Sequence, residues 1–442
     1  MDNSTLDLLF PSVGGKEVVS RFDGGDITSD AGVLFVSLAD RKIRLSEGLA
    51  GCIEDKRQQS KVVHSILDML RERVYGICSG YEDVNDLDRM GSDPALKLAC
   101  ERLPGSGADL ASQPTICRLE NGVGRKALVR IGKCLAERAI SRVPSDSRVI
   151  YIDVDPTDDP CHGQQEFEFF NKFYDCHCYL PLHFYVTGSD GRARAVGSLL
   201  RPGNAGATKG LASGLRILLV LLRKRFPDAR IILRADGSFG NAGVIRFCED
   251  AGIDYVLGLS QNRPLHRLSV PVQMDACLKY KWEGDGCREF GEFRYGADTW
   301  EGKRRVIVKA EITRHELNPR FVVTSLGGST PQGMYELYCA RGDRENRIKE
   351  MKLDLASGRT SCHGFLANQF RLLLVTAACV LMNVVQEALS GTKWASAQIE
   401  TIRVRLLKVG ARVVESCRRV WLHLPTAFPD QQTWSRLRDA LT

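Results

Sequence analysis

The spacing of apolar and polar positions changes character near residue 148, and the change divides the chain. Before it, apolar residues recur at helical intervals. Asp30–Asp40 follows a Thr-Ser-Asp capping signal and predicts a helix. From about Gln58 to Tyr75, Val62, Val63, Ile66, Met69, Leu70 and Val74 fall on one helical face. Further helices are predicted after Pro94, from Pro114 (proline suits a first helical turn) and from about Arg125 to Ala139. Residues 1–145 therefore read as a helical N-terminal domain; its scattered Arg and Lys suit DNA-end binding, a packing or oligomerisation role fits the pattern equally well, and no clear helix-turn-helix signature is present.

After Arg148 the β-branched run Val149–Val154 predicts a strand. His183–Thr187 and Ala193–Leu200 flank the turn Gly188-Ser-Asp-Gly191 and predict a hairpin. A helix over Leu211–Phe226, a strand over Arg230–Ala235, a helix over Ala242–Asp250 and a strand over Tyr255–Leu259 follow. That order predicts an α/β fold with a mixed sheet: an antiparallel hairpin joined to parallel crossovers. Residues 262–335 break the alternation with short pieces such as Arg305–Ile312 and Arg320–Thr324, a β-rich insertion. The chain is then expected to be helical from Tyr338 through Lys352, and again from Phe365 to Ala388. The expected domains are thus 1–145, an α/β domain over 146–390, and a basic helical segment 391–442.

Composition narrows the class. A hydrophobic share of 43% and a charged share of 26% are those of a folded soluble chain with a large core. The net charge of +7 permits nucleic-acid binding without requiring it, and 391–442 alone carries nine Lys/Arg against four Asp/Glu. The run Leu372–Val385 is too short for a membrane span and reads as a buried helix, so no membrane partner is expected. The opening MDNSTLDLLFPSVGG lacks the features of an export signal, so the 15 cysteines are expected as reduced thiols. Cys161, His162, Cys176, His177, Cys178 and His183 invite a zinc reading, but the spacing is not that of a zinc knuckle.

Candidate chemistry lies in three separated carboxylates. Asp155 closes RVIYIDVDPTDD and Asp236 closes IILRADGSFG, each at the carboxyl end of a predicted strand, where open α/β sheets place ligands. Strand alternation sets Asp153 on the same face as Asp155, so either could ligate a metal. Arg234 shares a face with Asp236. Glu345 lies in YCARGDRENRIKEMK, where Tyr338, Arg341, Glu345 and Lys352 are spaced to fall on one helical stripe. Three convergent carboxylates suit two hard divalent cations held against a phosphodiester.

The Tyr-Arg-Glu-Lys spacing resembles the signature of a large group of bacterial insertion-sequence transposases. DVDPTDDPCHGQQ and LRADGSFG are similar to their first and second aspartate regions, and NQFRLLLV to the helix that follows their glutamate. With FDGGDITSDAGVLF and ASQPTICRLEN, the chain is most similar to the group named after insertion sequence thirteen-eighty. Pro156 departs from the small residue expected after the first aspartate.

The resemblance implies a ribonuclease-H-like catalytic core with a β-rich insertion. It implies Asp155, Asp236 and Glu345 as catalytic, metal-holding residues, with Mg²⁺ as cofactor and Mn²⁺ as substitute. Tyr338, Arg341 and Lys352 would hold DNA. The implied partners are double-stranded terminal inverted repeats, target DNA and a second copy of the chain, in the bacterial cytoplasm at the nucleoid. Trp282 or Trp300 would stack a flipped base. The alternatives are a nuclease of the same fold without strand transfer, and a non-catalytic DNA-binding derivative.

Overall fold

The computed structural model describes residues 7–283, 286–312, 317–341 and 347–442. The chain divides into two compact units: residues 1–122 with 377–442, and residues 123–376.

The first unit opens on strands β1 (Leu8–Val13) and β2 (Lys16–Ser20), an exposed two-stranded hairpin, followed by the short β3 (Ile27–Thr28). Helices Val33–Ile43, Ile66–Cys78, Pro94–Ala99 and Gln113–Gly122 supply its core. The helix expected from Gln58 begins instead at Ile66. Ser65 accepts from the Asp68 N–H at 3.1 Å while Asp68 accepts from the Ser65 N–H at 3.1 Å, a reciprocal cap that starts the helix there. In the segment expected to be helical, Ala411–Glu415 and Val420–His423 form a second hairpin that pairs with β3.

Burial holds Glu72 of this unit up to about 8, against the N–H of Ala111, which donates to its carboxylate at 2.9 Å. The folded chain therefore keeps the Glu72 proton at pH values where the unfolded chain has released it. Stability falls as pH rises from the ordinary carboxylate range towards 8. Glu72→Gln removes this dependence. Thermal melting should show a larger gain over the parent chain at about pH 8 than at about pH 5.

The second unit is built on an eight-stranded mixed sheet. Its strands are β4 (Val149–Pro156), β8 (Leu182–Thr187), β9 (Ala193–Leu199), β10 (Arg230–Ala235), β11 (Asp254–Leu259), β12 (Arg288–Tyr295), β13 (Arg304–Ile312) and β14 (Leu317–Thr324), in the spatial order β12-β13-β14-β11-β10-β4-β8-β9. The short β5 (Asp159–Pro160), β6 (Phe169–Asn171) and β7 (Cys176–Tyr179) make a separate three-stranded sheet. Strands β4, β10 and β11 run parallel, and the others pair antiparallel.

The strands expected as an insertion thus continue the main sheet: β14 pairs with β11 from Val256 opposite Thr324 to Leu259 opposite Phe321. Residues 262–335 also hold helices Arg263–Leu268 and Val270–Glu283, so they are not β-rich throughout. Ile232, Val256, Ile307 and Val322 form one core beneath helix Pro331–Cys339, whose Met334 and Tyr335 cover it.

Helix Phe365–Ala388 is the one described helix long and apolar enough to cross a membrane, and 89% of its most apolar stretch is buried inside the protein. That burial, with Leu372 against Tyr179 and Leu200, is the behaviour of a core helix.

Candidate active site

Two parallel strands set the first two carboxylates side by side. The register of β4 and β10 runs from Val149 opposite Arg230 to Val154 opposite Ala235, and Asp155 and Asp236 are the residues that follow this last registered pair on the two chains. Adjacent strands lie about 4.8 Å apart, so the two half-buried aspartates share one end of the sheet. Each is held by local chemistry. Asp236 accepts from the Ser238 N–H at 2.8 Å and the Ser238 hydroxyl at 2.5 Å, capping the turn Gly237–Phe239. Asp155 accepts from Arg341 at 3.1 Å.

Asp153 and Asp155 differ in their partners. Two residues back along both strands, Arg234 lies directly opposite Asp153. Its guanidinium forks onto that carboxylate at 2.9 and 3.0 Å, with both side chains almost wholly buried. It also lies over the Tyr151 ring at 4.1 Å and donates to the Leu337 carbonyl at 3.2 Å. Asp153 is therefore committed to a bidentate ion pair, and Asp155 is the carboxylate at the strand end.

Helix Pro331–Cys339 brings Tyr338 to the same place. The Tyr338 hydroxyl reaches β11 at Gly258, where a Cβ would come within 2.8 Å of it, 2.7 Å of the Gly237 nitrogen and 3.0 Å of the Asp236 carbonyl carbon. Burial pushes the Tyr338 phenol up, and the nearby Asp236 charge adds to this. Gly258→Ala should cost about 1–3 kcal/mol of stability through overpacking and displace the Asp236 turn. Denaturant melts together with a cleavage assay would show both losses.

The helical stripe expected from Tyr338 to Lys352 is broken near its start, and residues 342–346 within it lie outside the described residues. The helix ends at Cys339 with Ala340 as its cap and Arg341 follows in a turn, while Lys352 lies in a helical stretch described from residue 347 through the π-helical turn Glu350–Asp354. Glu345 lies outside the described residues. Arg341 and Lys352 nonetheless both meet aspartates in or just after β4. Buried Met351 reaches the Ser198 hydroxyl on β9 at 4.0 Å, and Lys352 donates to Asp158 at 2.6 Å.

Two site residues escaped the sequence reading. Asp158, in the loop after β4, is the Lys352 partner. Tyr174 sits in the turn between β6 and β7, and its phenol is pushed up by burial and then by Asp158, Asp155 and Asp236 together. One phenol thus feels all three carboxylates. The repeated aspartates of Pro-Thr-Asp-Asp were the available signal for the first; nothing in the sequence marked the second.

Asp155 and Asp236 offer only carboxylate oxygens, the donors that hard divalent cations take. The donor set fits such a cation in kind, although among the described residues no three His, Cys, Asp or Glu side chains form a metal-holding group. The zinc candidates do not assemble either: His177 is bonded to Glu168 at 2.7 Å and buried His183 to Ser198 at 2.8 Å. Burial drives His183 down to about 4. Of the two tryptophans, Trp282 is 87% exposed on helix Val270–Glu283, whereas Trp300 packs edge-on against Tyr295 at 5.5 Å.

A family model described as the transposase DDE domain, group 1, matches residues 10–442. The chain belongs to that family. No curated protein matches this transposase sequence. Among solved structures, the NurA nuclease from Sulfolobus solfataricus is similar at 10% identity, over 51% of this chain and 84% of that one, with a TM-score of 0.24. At that score the likeness bears on neither fold nor function. Family membership makes this mixed α/β chain a transposase, with DNA as its partner and a divalent metal as the family's general requirement.

Proposed function

We propose that this transposase cleaves the ends of an insertion sequence and joins the freed 3′-hydroxyl to target DNA, and that Asp155 and Asp236, with Glu345, are its catalytic carboxylates. The observation that carries the reading is the placement of Asp155 and Asp236 at the carboxyl ends of adjacent parallel strands, with Arg341 beside the first. Strand order and this placement support a ribonuclease-H-like core, and the sequence signature supports the group named after insertion sequence thirteen-eighty.

Asp155 and Asp236 would hold Mg²⁺, or Mn²⁺ in its place. Bound there, the cations would lower the pKa of the attacking hydroxyl and stabilise the leaving oxygen. The chain's own residues do the positioning. Arg341 and Lys352 can exchange their present carboxylate partners for phosphate oxygens as a strand enters. Tyr338, partly buried with its phenol pushed up, orients rather than titrates. The exposed Trp282 is the tryptophan free to stack an unpaired base. Two ends held together call for a homodimer at the nucleoid.

A duplex with a precleaved 3′ end, mixed with supercoiled plasmid, tests the reading. Covalent joining in Mg²⁺ is expected. Plasmid nicking without joining would mark a nuclease of the same architecture.

A further inference from the structure

The first unit carries a second cationic surface, on the hairpin Ala411–Glu415 and Val420–His423. Register sets Arg412 opposite His423 and Val414 opposite Trp421, so these four share the outward face. Val413 and Ala411 point inward and are buried. The turn between the strands contributes Arg418 and Arg419, both exposed.

Three features mark this ribbon as more than a solvated edge. Trp421 is 48% exposed and lies nearly parallel to His423, at 18° and 6.4 Å between ring centroids, while the Arg419 guanidinium sits 5.6 Å from the Trp421 ring centre. Secondly, the nearest carboxylate on the ribbon is turned away. Glu415 accepts from the Gly105 N–H at 2.9 Å, the Ser106 N–H at 3.1 Å and the Ser106 hydroxyl at 2.5 Å, bonds that hold its carboxyl low. Among the described residues no carboxylate pairs with Arg412, Arg418 or Arg419. Thirdly, an open depression of about 910 Å³ runs between this hairpin and the Gly105–Ser106 loop, with Asp26 as the other acid on its lining.

We infer that this hairpin is a duplex-DNA contact separate from the catalytic carboxylates, its arginines on backbone phosphates and its Trp421–His423 plane in a groove. A two-stranded ribbon is narrow enough for the major groove of B-form DNA, and three guanidiniums without carboxylate partners are suited to phosphate oxygens. The inference rests on the transposase reading for the presence of DNA, and on the hairpin alone for where it binds.

The test uses the full chain and a labelled mixed-sequence duplex, with binding measured across a salt series. The R412A/R418A/R419A variant should bind on the order of a hundredfold more weakly at low salt, and the slope of log affinity against log salt should shrink by about 2 to 3. Trp421→Ala should weaken binding about tenfold with little change in slope. Thermal melting of each variant against the parent checks the fold, and Arg418→Lys should retain most of the affinity if charge on phosphate is the contact. Parent-like affinity and slope in the triple variant would overturn the assignment while leaving the transposase reading intact. Failure of the unaltered chain to bind any duplex would overturn both.

Discussion

Asp236→Asn is expected to lower cleavage of a terminal-repeat duplex on the order of a thousandfold or more, the scale of lost transition-state charge stabilisation. DNA binding should stay close to that of the parent chain. The substitution keeps the shape and the hydrogen-bond acceptor that caps the Gly237–Phe239 turn through Ser238, so the strand end should keep its geometry. What it removes is a negative charge beside Asp155. Single-turnover cleavage, paired with a binding isotherm, separates the two effects. A parallel fall in both would point to a role in holding DNA, not in the chemistry.

The second large effect is expected from the Arg234–Asp153 pair. Both side chains are almost fully buried and bonded through two hydrogen bonds. Removing one partner strands a buried charge, at a cost of about 3–5 kcal/mol. Arg234→Met or Asp153→Leu alone should therefore lower the melting temperature on the order of 10 °C. The double variant should regain much of that loss, because a well-packed apolar pair of similar volume replaces a buried ion pair with little penalty. Arg234 also ties β10 to β4 and to the Leu337 carbonyl, one residue before Tyr338. The double variant should accordingly recover stability more fully than cleavage. Equal recovery of both would reduce the pair to a packing element.

Much of this architecture was legible in the sequence, for physical reasons that can be named. Strands such as Arg230–Ala235 and helices such as Ala242–Asp250 carry long enough β-branched or amphipathic runs to declare themselves. The β5, β6 and β7 strands, of two to four residues, are too short to show a period. The hairpin of β1 and β2 escaped because its residues are exposed on both faces, so no alternation of burial is imposed on it. Strands β13 and β14 were visible as strands but not as part of the main sheet, because the pairing of β14 with β11 is a long-range choice that no local pattern encodes.

The site divides in the same way. Asp155 and Asp236 stood out because each ends an apolar strand with turn residues behind it. The role of Asp153 was not decidable from alternation alone, which places it with Asp155. Only the pairing of the strands put Arg234 opposite it. Tyr174 comes under the charge of the acids through the fold of a small sheet, a tertiary fact. The helical stripe from Tyr338 to Lys352 expected a continuity that the turn after Cys339 interrupts, yet Arg341 and Lys352 both end on aspartates of the β4 region.

The most direct measurement of the central assignment, that Asp155 and Asp236 hold the cations that cut DNA, is a metal swap on Asp236→Cys. A thiolate is a poor ligand for Mg²⁺ and a good one for softer ions. The variant should be inert on a terminal-repeat duplex in Mg²⁺ and regain cleavage when Mn²⁺ or Cd²⁺ is supplied, while the parent chain cuts in Mg²⁺. Cleavage by the variant in Mg²⁺ at the parent rate would contradict the assignment.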